Sequence, residues 1–137
     1  MKKLLFTVCF LVTAVIAGGQ MANGEKESME SLIDKQFKLA QKQYQLLAKN
    51  TPVNRMPKTY YPASKKTESS DTQWWCSGFY PGSLLYIYEY TKDSATFNEA
   101  KKRLAILEKE KHYTGNHDLG FMMFCSFGNA YRITKNS

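Results

Sequence analysis

Residues 74–110 read WWCSGFYPGSLLYIYEYTKDSATFNEAKKRLAILEKE, and two unlike helices share this stretch. In its first half Leu84, Leu85, Ile87 and Tyr88 make a segment that is apolar on almost every side. Pro81 suits the first turn of a helix there. A helix with no polar face is buried on several sides. Tyrosine and isoleucine also favour strands, so a strand is the competing reading, and the second half tilts the balance towards helix. Ser94 is a helix cap by type. After it Phe97, Ala100, Leu104 and Leu107 recur at three- and four-residue steps, one stripe of an amphipathic helix. Lys101, Lys102, Arg103, Glu108, Lys109 and Glu110 are assigned to its outer face. The turn between the halves, Lys92-Asp93, is short, and short turns join antiparallel helices.

The same alternation continues on both sides. Upstream, Ser28 caps a helix whose stripe is Met29, Ile33, Phe37, Ala40, Tyr44 and Leu47, ending near Asn50. Downstream, residues 112–118 form a loop with Gly115 and Asn116 as turn residues. Leu119 to Thr134 is then apolar on most faces, through Phe121, Met122, Phe124, Phe127, Tyr131 and Ile133. The order is amphipathic, buried, amphipathic, buried. It predicts an all-α fold of about four helices, in hairpins arranged in a ring with inner helices shielded by outer ones. Thr51 to Gln73 carries Pro52, Pro57 and Pro62 and sustains no period, so it is expected as a long surface loop. Two nearly all-round apolar helices leave more surface than two amphipathic ones can cover, which soluble monomers avoid. The chain is therefore expected either to oligomerise or to be the front part of a longer domain.

The start of the chain has the pattern of an export signal. Lys2-Lys3 precede an uncharged apolar run from Leu4 to Ala17, with small residues at the cleavage positions Val15-Ile16-Ala17. The run is short for a membrane span. The expected organisation is a signal peptide over 1–17, a flexible lead-in over 18–27 and a helical domain over 28–137, exported to a periplasm, with no membrane attachment after cleavage. At 137 residues, with 43% hydrophobic and 23% charged content, the chain is globular in composition and holds one domain or part of one. The net charge of +7 falls to +5 once Lys2 and Lys3 are set aside. The basic runs Lys65-Lys66 and Lys101-Lys102-Arg103 are short and separate, so no nucleic-acid stripe is read from them. A positive surface still attracts an anionic sugar.

Two clusters carry chemistry. The first is Trp74-Trp75 at a loop-to-helix junction beside Gly78 and Gly82. It reads either as a platform on which a sugar ring stacks or as an aromatic plug of the core. The second is Asn116-His117-Asp118-Leu119-Gly120-Phe121. Asp118 is either the N-cap of the following helix or one of a pair of acids, since glycoside chemistry generally needs two carboxyl groups. No convincing second acid accompanies it. No phosphate loop or nucleophile elbow is present. His112 and His117 have no partner at a zinc-site spacing, so no metal is expected. Cys76 and Cys125 read as free thiols or, in an exported protein, as a disulfide.

WWCSGFYPGSLLYIYEYTKD (74–93), AKKRLAILEKE (100–110) and NHDLGFMMFCSFGNAYRIT (116–134) together resemble the front of the unsaturated glucuronyl hydrolases, glycoside hydrolase family 88. The combination of an aromatic-Gly-Phe helix start and a later HDxGF carries the resemblance, which spans roughly residues 28–134. It implies the first part of an (α/α)6 barrel of six helical hairpins. It implies removal of a 4,5-unsaturated uronic acid from oligosaccharides left by polysaccharide lyases, as in glycosaminoglycan breakdown, with no cofactor. In that chemistry an acid protonates C4 of the vinyl ether, water adds at C5, and the hemiketal opens to release the next sugar. Asp118 matches the first of two site aspartates, His117 its neighbour, and Trp75 an aromatic that lines the substrate subsite, with Trp74 beside it. The second aspartate, the family's general acid and base, lies beyond this sequence, and no Asp or Glu follows Asp118. The chain is therefore expected to be an incomplete, inactive portion of such an enzyme. The related unsaturated rhamnogalacturonyl hydrolases share the fold. Two other readings stand beside it: a small non-catalytic sugar-binding protein that uses Trp74, Trp75 and Tyr80, and an interaction protein whose apolar helices meet a partner.

Overall fold

The computed structural model describes residues 27–136. The expected signal peptide over 1–17 and nearly all of the lead-in over 18–27 lie outside the described residues. The elements in chain order are α1 (Met29–Asn50), β1 (Met56–Tyr61), β2 (Lys66–Ser70), α2 (Phe79–Thr91), α3 (Ser94–Leu107) and α4 (Leu119–Met123). A π-helical turn over Phe124–Gly128 then leads into α5 (Asn129–Thr134). The predominantly helical fold follows the sequence pattern, with one β-hairpin added to it.

Helix α2 is the centre, with α1, α3 and the α4–α5 segment packed around it. Leu84 and Leu85 of α2, Tyr80, Ala100, Leu107 and Met56 form the buried core. Tyr44, Leu47, Phe97, Phe127, Ala130 and Ile133 close over it from the surrounding helices. The ends of the helices follow local chemistry. Ser28 caps α1 by accepting from the Ser31 amide. Helix α3 begins one residue earlier than its composition suggests, because Asp93 rather than Ser94 is the cap: its carboxylate takes both the amide and the hydroxyl of Thr96. Helix α2 ends where Lys92 turns left-handed at φ 57° and its amide bonds Tyr88 O.

Three details depart from the sequence pattern. The span 51–73 is not a structureless loop. Strands β1 and β2 pair antiparallel with Met56 opposite Ser70 and Tyr61 opposite Lys66. The register slips between Pro57 and Thr59, where Lys58 has no partner opposite it and bulges out just after the proline. The four-residue turn 62–65 closes on a left-handed Lys65, a common hairpin ending. Next, Arg103 and Glu110 are not on a solvated face but are 2% and 5% exposed. Arg103 lies three residues after Ala100 and four before Leu107, which puts it on the inward stripe of α3. Its guanidinium bonds Glu99 at 2.7 Å and the carbonyls of Pro52 at 2.7 Å and Arg55 at 2.6 Å. It thereby ties the α1–β1 connection to α3. Glu110 accepts from the Thr72 hydroxyl. Finally, the first turns of α1 are open: Met29 and Ile33 are exposed, and the stripe makes contact only from Phe37 onward.

The buried helices are covered on fewer sides than their composition asks. Phe79, Tyr86 and Tyr90 on α2 and Phe121, Phe124 and Tyr131 on the α4–α5 segment remain exposed. No helix among the described residues is long and apolar enough to cross a membrane.

Candidate functional site

Two glycines, Gly78 just before α2 and Gly82 in its first turn, set the geometry of the site. A methyl group on Gly78 would stand 2.2 Å from Met122 O and 2.4 Å from Phe121 O. One on Gly82 would stand 2.2 Å from Cys125 O. Only glycine lets the two backbones approach this closely. The start of α2 is thereby pressed onto the start of α4, and the residues just before each helix become neighbours. Those residues are Trp74-Trp75 and His117-Asp118.

The two tryptophans do not plug the core. Each is a little over a third exposed. Their rings lie 6.3 Å apart. Trp75 meets Phe79 edge-on at 6.0 Å and Phe121 at 6.2 Å, and Phe79 lies 5.7 Å from Phe121. The result is a half-open aromatic surface of four rings, built from both helix starts. Edge-to-face pairs at these separations hold rings in place. The sequence pattern marked the tryptophans; Phe79 and Phe121 complete the surface and stand in the same motifs. Tyr80, read from sequence as a third stacking residue, is instead buried in the core, stacked on Tyr44 and under the Arg103 guanidinium. Burial pushes its hydroxyl far above the ordinary tyrosine value.

Asp118 occupies the N-cap position of α4, yet its carboxylate makes no capping bond. The backbone carbonyl of Asp118 accepts from the Phe121 and Met122 amides, and its own amide bonds the Asn116 side chain at 2.8 Å. The carboxylate is thus held at a helix start without being consumed there. Its side chain is 27% exposed and lies 3.4 Å from His117 Nε2, while His117 itself is 93% exposed. The Asp118 charge is felt at Cys76, whose thiol is pushed up mainly by burial, eased by the Trp74 side chain and raised further by that carboxylate. The carboxylate is therefore within electrostatic reach of the segment that carries the tryptophans. Cys76 and Cys125 are both free thiols. Among the described residues no group of three or more His, Cys, Asp or Glu side chains is placed to hold a metal.

A groove of about 1040 Å3 adjoins this surface. Helix α1 lines it through Tyr44 and Leu47, the hairpin through Lys58, Tyr60 and Lys65, and the start of α2 through Phe79. Phe79 thus belongs to both the groove and the four-ring surface. So does Lys58, through its ammonium 4.8 Å above the Trp74 ring. Sequence reasoning missed Lys58 because the hairpin was hidden. The signal available was the short run Thr59-Tyr60-Tyr61 facing Thr67 across a Pro62-Ala63-Ser64-Lys65 turn.

Comparison with known proteins gives two matches and one blank. No family model matches the chain. A curated unsaturated glucuronyl hydrolase from Formosa agariphila is 30% identical over 135 residues, which is 96% of this chain and 34% of the relative. A crystal structure of an unsaturated glucuronyl hydrolase specific for heparin superposes with a TM-score of 0.71 at 33% identity. It covers 78% of this chain and 29% of that one. The chain spans about a third of the length of the proteins it matches. In sequence and in fold alike, it is similar over that third to the unsaturated glucuronyl hydrolases.

Proposed function

We propose that the chain supplies one wall of a glycosidase site that acts on a 4,5-unsaturated uronic acid at the end of a lyase-generated oligosaccharide. The observation that carries this is the Asp118 carboxylate: free of any capping bond, on a backbone fixed at the start of the helix that contributes Phe121 to the half-open ring surface. In this reading Trp75 and Trp74 stack the sugar and Asp118 faces it, while His117 reaches its edge. Aromatic stacking fixes the ring plane, and a carboxylate at a set position orients hydroxyls or water on one side of it. The vinyl ether also needs a proton donor. The acids of α2, α3 and the turn after α3 that are paired within the fold include Glu89 with Arg132, Glu99 with Arg103, Asp93 with Thr96 and Glu110 with Thr72, and none of these pairs involves the tryptophan surface. In this reading the donor belongs to the two thirds of the relatives that this chain does not match, and the 137-residue chain alone is expected not to turn over substrate. We assign the same chain to the exported class on its first 17 residues.

The test is a graft. Residues 28–134 replace the matching third of the Formosa agariphila relative, and loss of the substrate double bond is followed by ultraviolet absorbance. The graft turns over an unsaturated disaccharide, and Asp118→Asn in it lowers kcat by about 100-fold, the scale for misplacing the reacting groups. A folded graft unaffected by Asp118→Asn would remove Asp118 from the site. Turnover by the 137-residue chain alone would show that the donor is already present.

A further inference from the structure

We infer that the groove between α1 and the β-hairpin holds the sugars beyond the one on the tryptophan surface, and that Lys58 reads an acidic group, carboxylate or sulfate, which those sugars carry. This rests on the proposed function and names what lies next along the same substrate. Three features converge. The groove is continuous with the ring surface through Phe79 and Lys58, so a chain stacked on Trp74 and Trp75 has a path into it. Its volume of about 1040 Å3 is of the size that takes more than one sugar ring. Its hairpin wall carries two cations, Lys58 and Lys65, and among the described residues no acid is in its lining.

Lys58 is also held in position. Glu68 binds its ammonium at 2.6 Å and is itself bound by the Tyr61 hydroxyl at 2.8 Å. The ammonium is thereby fixed above the Trp74 ring, where a cation is attracted to the ring face. One of its three donors is used by Glu68. The others are free for an anion that arrives over the tryptophan. Glu68 plays two opposed parts in this arrangement: it positions Lys58, and its own charge repels the same anion. That opposition separates the inference from a merely structural pair. If Lys58 and Glu68 only brace the hairpin, neutralising either one has the same effect.

The experiment measures binding by the intact chain through tryptophan fluorescence. The probes are unsaturated di- and tetrasaccharides, each with and without sulfate. The expected result is tighter binding of a tetrasaccharide than of its disaccharide. Lys58→Gln weakens the tetrasaccharide by ~3- to 5-fold, the scale of one exposed charge pair, and leaves the disaccharide nearly unchanged. Glu68→Gln strengthens it, and added salt shrinks both effects. A tetrasaccharide advantage confined to sulfated probes identifies sulfate as the group read; an advantage in both sets identifies the carboxylate. If the chain binds di- and tetrasaccharides equally, or if both substitutions weaken binding, the inference is overturned while the tryptophan surface stands. If no probe binds, or if Trp75→Ala leaves disaccharide binding unchanged, the proposed function fails and this inference with it.

Discussion

Replacing Arg103 by Met should come close to unfolding the chain. The side chain is 2% exposed and donates to three short acceptors: Glu99 at 2.7 Å, Pro52 O at 2.7 Å and Arg55 O at 2.6 Å. Two longer bonds, to Val53 O and Thr51 O, add little at 3.3 Å. Methionine fills much of the same space, so the cavity cost is small and the loss is polar. A hydrogen bond to a charged group contributes ~1.5 kcal/mol or more net. Three of them give ~4–5 kcal/mol, in line with the ~3–5 kcal/mol for removing one member of a buried pair. Against a total stability of ~5–15 kcal/mol for a domain, that is a large share. Glu99 is the partner left behind with its side chain 17% exposed. Adding Glu99→Leu to Arg103→Met should therefore recover part of the loss, about 1–2 kcal/mol, because it removes the stranded carboxylate. It should not recover all of it, since the Pro52 and Arg55 carbonyls still lack a donor. The assay is urea unfolding followed by tryptophan fluorescence and by circular dichroism. A single variant within about 0.5 kcal/mol of wild type would refute the reasoning, and so would a double variant less stable than the single one.

Three further outcomes check other parts of the structure. Gly82→Ala puts a methyl 2.2 Å from a backbone oxygen that cannot rotate away; it should cost about 1–3 kcal/mol despite alanine's better helix propensity, measured by thermal unfolding. Asp118→Ala should leave the melting temperature of the chain within the range of a neutral surface change, because no capping bond is lost; a loss of about 1 kcal/mol would mark Asp118 as a cap. Asp93 is the converse case. The Thr96 hydroxyl and amide hold its carboxyl below the ordinary 3.8, so the folded state favours its charged form. Its contribution is fully present above pH ~4 and is lost as pH falls through the lower folded value. Asp93→Ala should thus lose about 1 kcal/mol at pH 7, and its gap from wild type should narrow in acid.

The helices were legible where side-chain spacing alone determines the outcome. Ser28 begins α1 and Asn50 ends it, as type and period indicate. The turn at Lys92-Asp93 and the start of α4 after Asp118 were equally plain. The misreadings share one cause, which is that composition was allowed to stand for position. Arg103 and Glu110 were placed outside because they are charged, although both fall on the inward stripe with Ala100 and Leu107. The hairpin was passed over because Pro57 and the serines interrupt its pattern, and because its pairing is a contact between strands that no local period records. Of the site, the motif residues Trp74, Trp75, His117 and Asp118 were visible, but their nearness was not. It depends on the close approach at Gly78 and Gly82, which is a property of two helices together.

The π turn at Phe124–Gly128 has a consequence for how this chain tolerates change. Met122 and Ser126 are buried, and Ala130 packs on the core. These three are spaced by four residues twice over. At ~100° per residue each such step overshoots a full turn by ~40°, so an ordinary helix would swing Ala130 well away from Met122. The wider turn absorbs the overshoot, and it amounts to a single inserted residue. A deletion within Phe124–Gly128 should therefore heal into an unbroken α-helix with both ends still facing α2. Phe124, 78% exposed, is the residue whose removal disturbs least. The same deletion one turn nearer Thr134 has no slack to draw on and would rotate the end of the segment off its neighbour. Length variation among homologous chains should accordingly gather at this one turn, leaving the Trp75–Asp118 spacing untouched.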